Sequence, residues 1–169
     1  MEYRARRDKI TAGAANYRHG QDLPIVDYTQ REIETWDTLY KSLRQLSRRH
    51  AISTYNDIVD DMEREGIFGY ASIPQMGDIS AYLNAKTGFT LRPIAGLMTP
   101  RDFLNGLAFK VFHSTQYIRH HSMPLYTPEP DVVHELVGHV PMFADPYFAA
   151  LSQKIGLASL SASDFEIKR

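Results

Sequence analysis

Apolar residues recur at helical spacing along much of the chain. Over residues 28–49, Ile33, Trp36, Tyr40 and Leu43 stand three or four positions apart, which is one face of a helix. Thr29, followed three residues later by Glu32, is a capping-box pair that marks where this helix starts. Ser53 or Thr54 can open a second helix toward Gly66, with Ile58, Val59 and Met62 inside, and Asp78 can cap a third that carries Ile79 and Leu83 to Gly88. FTLRPI, residues 89–94, is the best short strand, with Pro93 placing it at an edge or an end. Thr99 before Pro100 is an N-cap and first-turn pair, opening a helix through Leu104, Leu107 and Val111. Asp145 before Pro146 repeats the device ahead of YFAALSQKIG. The pattern predicts a mainly α fold with a few short strands.

No repeat, low-complexity tract or Gly/Ser linker interrupts the chain, so residues 1–169 read as one domain without an interior boundary. It opens on a basic cluster, Arg4, Arg6, Arg7 and Lys9, and its last run, FEIKR, carries no stop signal and reads as a cut through an element. A composition of 43% hydrophobic and 11% aromatic residues can build a real core. With 19 Lys and Arg against 20 Asp and Glu there is no electrostatic footprint for nucleic acid or anionic membrane, which leaves small molecules as partners. The absence of cysteine removes disulfides, thiolate metal sites and cysteine nucleophiles together, so a metal would have to sit on nitrogen and oxygen. No apolar run approaches the ~20 residues of a membrane span and the first residues lack a signal-peptide core, so a cytoplasmic setting is expected.

The densest chemistry lies in YTPEPDVVHELVGH, residues 126–139. Zinc proteases need histidines four apart on one helical face, and His134 and His139 are five apart. On a regular α-helix that spacing rotates the second ring by about 140° away from the first. The helix is therefore expected to stop between them. Gly138 suits a left-handed C-cap, Pro141 pushes Val140 out of helical geometry, and Asp131 can cap the short helix and orient His134. Two imidazoles and one carboxylate on one face form the facial triad of non-haem iron oxygenases. Glu135, projecting about 100° from His134 on an α-helix, is a poor third ligand, so the carboxylate should come from elsewhere. Spacing alone leaves a metal site and ordinary hydrogen-bonded histidines as equal alternatives.

Longer blocks decide between them. YRARR at 3–7, NYRHGQ at 16–21, TGFTLRPIAGL at 87–97, RDFLNGLAFKVFHSTQYIRH at 101–120, YTPEPDVVHELVGHVPMFADP at 126–146 and IGLASL at 155–160 closely resemble the catalytic domain of the pterin-dependent aromatic amino acid hydroxylases. The resemblance runs from end to end and implies that family's catalytic-domain fold. It implies iron(II) on His134 and His139, with tetrahydrobiopterin and O2 as co-substrates for hydroxylating an aromatic amino acid. By the same resemblance a pterin stacks on Phe103 near Gly96, Met98, His113 and Glu135, with Glu135 handling protons as a catalytic group. Arg119 meets the amino acid's carboxylate, Tyr126, Thr127 and Pro130 line that pocket, Asp131 holds Arg119 or His134, and Arg7 is a structural partner for Glu129.

The resemblance also implies what lies outside these residues. The family's third carboxylate ligand falls beyond the stretch matching Arg169. So do the rest of the catalytic domain and the helical tail that makes such enzymes tetramers, and a regulatory domain precedes it. The chain is thus expected to be a partial catalytic domain that binds iron weakly and does not turn over alone. His113 and Tyr126-Thr127 disfavour tyrosine as substrate, Leu97 resembles the phenylalanine members and Pro100 the tryptophan members, and phenylalanine is favoured. Tryptophan 5-hydroxylation, a non-catalytic remnant of the family and a zinc hydrolase using Glu135 as base are the alternatives.

Overall fold

The computed structural model describes residues 2–167. In chain order the elements are α1 (Glu2–Asn16), α2 (Gln30–His50), α3 (Ser53–Arg64), α4 (Met76–Thr87), β1 (Thr90–Pro93), α5 (Pro100–Ala108) and β2 (Val111–Ser114). A π-helix at His134–His139, a 3-10 helix at Val140–Ala144, α6 (Pro146–Ser159) and the single turn α7 (Asp164–Ile167) follow. Of the terminal FEIKR run, Lys168 and Arg169 lie outside the described residues. The mainly α prediction matches this architecture.

Helix starts follow the local chemistry where a side chain can cap. The Thr29–Glu32 box closes as predicted, with Thr29 N–H donating to Glu32 Oε2 at 2.7 Å. Thr99 Oγ1 accepts from the Asp102 N–H at 3.1 Å with Pro100 in the first turn, and Asp145 Oδ1 accepts from the Phe148 N–H at 2.7 Å. Two predicted caps are displaced. α3 takes Ile52 as its N-cap with Ser53 already helical, and α4 takes Gln75. Asp78 stands instead in the first turn of α4, where its charge still meets the positive end of the helix dipole. Gly88 closes α4 in the left-handed region, φ 81°, as predicted.

The predicted run of α5 to Val111 is too long. α5 ends at Ala108, and after a turn in which Lys110 takes φ 55° the chain enters β2. β1 and β2 pair in parallel, Thr90 opposite Val111 through Pro93 opposite Ser114, so α5 is the crossover of a small β–α–β unit. β2 was not foreseen because Val111 continues the apolar spacing of α5, so that the start of the strand read as more helix.

The core gathers Trp36, Tyr40, Met62, Ile79, Leu83, Phe89, Leu91, Phe112, Ile118, Leu136, Val140 and Phe143. It binds α2, α3 and α4 to the β–α–β unit and to the π-helix. α1 was also missed, because it has almost no apolar face. Among its described side chains only Ile10 and Ala14 are buried, and it docks through polar contacts. Tyr3 Oη donates to the Ile118 carbonyl at 3.0 Å, Arg6 pairs with Glu32 at 3.1 Å, and Arg7 pairs with Glu129. Among the described residues no helix is long and apolar enough to cross a membrane.

Candidate metal and cofactor site

The helix carrying the two histidines does not break. Val133 and Val140 both have right-handed helical backbone, and Gly138 is not among the residues of positive φ. Residues His134–His139 instead widen into a π-helix, in which the N–H of Val140 bonds to the carbonyl of Glu135 five positions back. A ladder of that period brings residues five apart over one another, so both rings face one side. Pro141 is accommodated within the first two positions of the following 3-10 helix, where a missing N–H costs little, and Val140 stays helical. Both expectations built on a broken helix, the left-handed Gly138 and the displaced Val140, are corrected by this geometry.

The result is convergence. His134 Nε2 and His139 Nε2 lie 3.0 Å apart, with ring centroids at 4.7 Å. Glu135, which an α-helical projection turns away, is drawn in by the wider turn. One of its carboxylate oxygens and the two imidazole nitrogens all lie within 4.8 Å of one another. Partial burial, then the neighbouring His134, holds the His139 imidazole below its ordinary pKa, which keeps it neutral and able to ligate. Two imidazoles beside a carboxyl group, with no thiolate near, suit a divalent first-row ion such as iron(II).

Asp131 organises the site from below. Its side chain is fully buried, and it accepts from Arg119 Nε at 2.8 Å and Arg119 Nη2 at 2.7 Å in a bidentate pair. It also accepts from the backbone N–H of Arg119 at 2.9 Å and of His134 at 3.1 Å. Of the two expected partners, Asp131 thus holds the Arg119 side chain and meets His134 only at its backbone N–H. Arg119 Nη1 donates to the Pro124 carbonyl at 3.1 Å, which leaves the guanidinium further donors.

A cavity of about 290 Å³ opens beside the histidines. Its wall includes Gly96, Met98, Phe103, His113, Pro130, His134, Glu135 and His139, so every position expected for a pterin lies on one cavity with both imidazoles. Phe103 packs edge-on against Phe112 at 6.0 Å, and Phe112 in turn lies 5.7 Å from the His139 ring. Glu135 is buried in this wall. Desolvation, then repulsion from Asp131, raises its pKa to about 7. His113 is held below its ordinary pKa by burial and then by Arg92.

Arg119 lies elsewhere. It borders a hollow of about 640 Å³ on the other side of His134, lined also by Leu39, Leu43, Tyr55 and Val137. Tyr126 and Thr127 line neither cavity; Tyr126 is 61% exposed, and Thr127 Oγ1 donates to the Glu129 carbonyl at 2.6 Å. Of the four residues expected around a substrate, the structure places Pro130 beside the histidines and Arg119 across from it. Phe112, Thr115 and Tyr117 line the first cavity and were not foreseen. No alternation marks them, because burial alternates only within β2 and every residue from Ser114 to Ile118 is buried. Arg7 meets Glu129 as expected and also stacks its guanidinium 4.5 Å over the Tyr117 ring.

The model of the family described as "Biopterin-dependent aromatic amino acid hydroxylase" matches residues 1–169. The chain belongs to this family. It is 56% identical over 168 residues to the protein henna of Drosophila melanogaster and 54% identical over 167 residues to phenylalanine-4-hydroxylase of Homo sapiens. Each alignment covers 99% of this chain, and the chain spans 37% of the length of either relative. Among hydroxylases of known structure, that of Chromobacterium violaceum with iron(III) and 7,8-dihydrobiopterin superposes with a TM-score of 0.77 at 27% identity, covering 92% of this chain and 57% of that one. The hydroxylase fold is therefore shared over nearly the whole of this chain.

Proposed function

We propose that this chain is part of the catalytic domain of a monooxygenase that hydroxylates phenylalanine to tyrosine with iron(II), tetrahydrobiopterin and O2. The observation that carries this reading is the convergence of His134 Nε2 and His139 Nε2, 3.0 Å apart, on a cavity walled by Phe103, Met98, Gly96, His113 and Glu135. His134 and His139 would hold the iron. The face of Phe103 offers a planar pterin an apolar surface, and the loop with Gly96 and Met98 borders the same space. When bound, iron(II) and the reduced pterin supply the electrons that split O2 and deliver one oxygen atom to the aromatic ring. Glu135, with a pKa raised to about 7, takes up or releases a proton at its carboxylate beside the pterin. Arg119, fixed by Asp131, has donors left for the substrate carboxylate, with Tyr126, Thr127 and Pro130 as its neighbours in the bound state. The likeness to phenylalanine-4-hydroxylases supports phenylalanine over tryptophan.

We further propose that Glu135, buried in the cavity wall, serves the pterin and not the metal, and that the third carboxylate ligand comes from outside these 169 residues, so that alone they bind iron(II) weakly and do not turn over. The full-length form is proposed to be a cytoplasmic homo-oligomer. The test is anaerobic reconstitution of this chain, and of a chimera continuing it with the corresponding C-terminal segment of the human relative. Iron uptake, pterin binding and products are then measured. Tyrosine from phenylalanine by the chimera, with weak iron binding and no product from the chain alone, is the expected result. Coupled turnover by the chain alone defeats the second proposal. 5-Hydroxytryptophan as the preferred product corrects the substrate. Stoichiometric zinc with peptidase activity and no pterin binding overturns the reading altogether.

A further inference from the structure

His113, together with Met98, separates two spaces. One is the cavity beside the histidines; the other is an outer hollow lined by His19, Arg92, Asp102, Asn105 and Gly106. Gly106 lines the outer hollow but not the cavity, so it backs the imidazole from behind. A methyl carbon on Gly106 would lie 2.7 Å from His113 Cε1, 2.8 Å from His113 Nδ1 and 2.9 Å from the Val111 carbonyl oxygen. These distances are well inside van der Waals contact, so one of the partners would have to move.

Helix α5 is not free to retreat. On its other side α6 presses against it at Gly156, where an added methyl would come 2.2 Å from the Ala108 nitrogen. The Val111 carbonyl belongs to β2, whose residues are held by pairing with β1. The group that can yield is the His113 ring, and a push from the Gly106 side drives it toward the cavity. With only about 290 Å³ of space there, an intruding imidazole competes with a ring-sized ligand.

We propose that Gly106 is a positioning residue for the cofactor cavity: by having no side chain it lets the His113 imidazole lie back against α5 and serve as a wall. The proposal rests on the reading that this cavity accepts a pterin. It assigns to a helical glycine, buried and away from both histidines, control over cofactor affinity without control over the metal.

The experiment is a double-mutant cycle on the full chain with Gly106→Ala, His113→Ala and both together. Tetrahydrobiopterin affinity, iron(II) affinity and melting temperature are measured for each. Gly106→Ala is expected to weaken pterin binding by about tenfold or more while leaving iron(II) affinity unchanged. In the double variant, loss of the ring should recover part of the melting temperature lost by Gly106→Ala and return pterin affinity to that of His113→Ala. Unchanged pterin binding in Gly106→Ala overturns the proposal, as does a double variant no more stable than Gly106→Ala. The stability arm is read even if Gly106→Ala folds poorly. A wild-type chain that takes up no pterin defeats the proposed function instead, while the stability arm still decides whether His113 receives the clash.

Discussion

Asp131 joins Arg119 to the start of the π-helix, since one fully buried carboxylate receives the Arg119 guanidinium and the backbone N–H groups of Arg119 and His134. Removing it strands a largely buried guanidinium, the case in which breaking an ion pair is most costly. Asp131→Ala is expected to lower unfolding free energy by about 3–5 kcal/mol in urea titrations. A loss below about 1 kcal/mol would mean that the pair is no better than a surface bridge. Glu135 gives a prediction of opposite kind. Its pKa rises from 4.5 unfolded to about 7 folded, so the folded state holds the proton more tightly. That contribution is fully present below pH 4.5 and is lost as pH rises through about 7. The metal-free chain should therefore lose on the order of 3 kcal/mol relative to Glu135→Gln between about pH 5 and pH 8. Parallel stability curves for the two proteins would show that burial does not hold this proton. At this scale the sequence was informative: the histidines, Asp131, Phe103 and His113 were all named before any geometry. Thr115 and Tyr117 were not, because a polar residue becomes a cavity wall only through the pairing of its segment with residues 130–132. Tyr117 Oη donates to the Pro130 carbonyl at 2.7 Å, and the Tyr117 carbonyl accepts from Val132 N–H at 2.8 Å.

The π-helix is the element that the sequence concealed. A π-helix and an α-helix differ by one residue in the span of each hydrogen bond and use the same residue types, so composition cannot separate them. A glycine between two histidines then reads as a break. Tertiary contact provides what composition does not: Tyr55 Oη on α3 donates to the Val137 carbonyl at 2.7 Å, taking up a backbone group that the widened ladder leaves available. The two readings differ in what they require of Gly138. A left-handed C-cap needs glycine, and alanine there would cost about 1 kcal/mol or more. In the π-helix Gly138 has ordinary backbone, and an added methyl meets nothing within 4 Å. Gly138→Ala is therefore expected to be neutral, or stabilising by up to about 1 kcal/mol, with iron(II) affinity unchanged. A marked drop in melting temperature would restore the broken helix. The overrun of α5 has a similar origin: Val111 continues the apolar pattern, but the helix ends at Ala108, Phe109 leaves helical geometry and Lys110 takes φ 55°.

Across the whole molecule, the packing of α1 is what pattern-reading reached least. The helix lacks an apolar stripe, so its place is set by side chains whose partners lie far along the chain. Tyr3 reaches Ile118, Arg6 reaches Glu32, and Arg7 reaches Glu129 while lying 4.5 Å over the Tyr117 ring. Arg7 thus ties α1 to two parts of the cavity wall at once, since Tyr117 lines it and Glu129 precedes the lining residue Pro130. The pair is partly open to water, which screens it, but the cation–π contact adds to it on the more buried side. Arg7→Ala should therefore cost only about 1–2 kcal/mol in global stability. Its local effect should be larger, because among the described side chains of the helix only Ile10 and Ala14 are buried. Hydrogen exchange is the measurement that separates the two. Amides of α1 and of residues 115–119 should lose protection in Arg7→Ala, while those of α4, packed in the main core, keep theirs. Uniform loss across all helices would make Arg7 a contributor to global stability alone, and the link between α1 and the cavity wall would have to be abandoned.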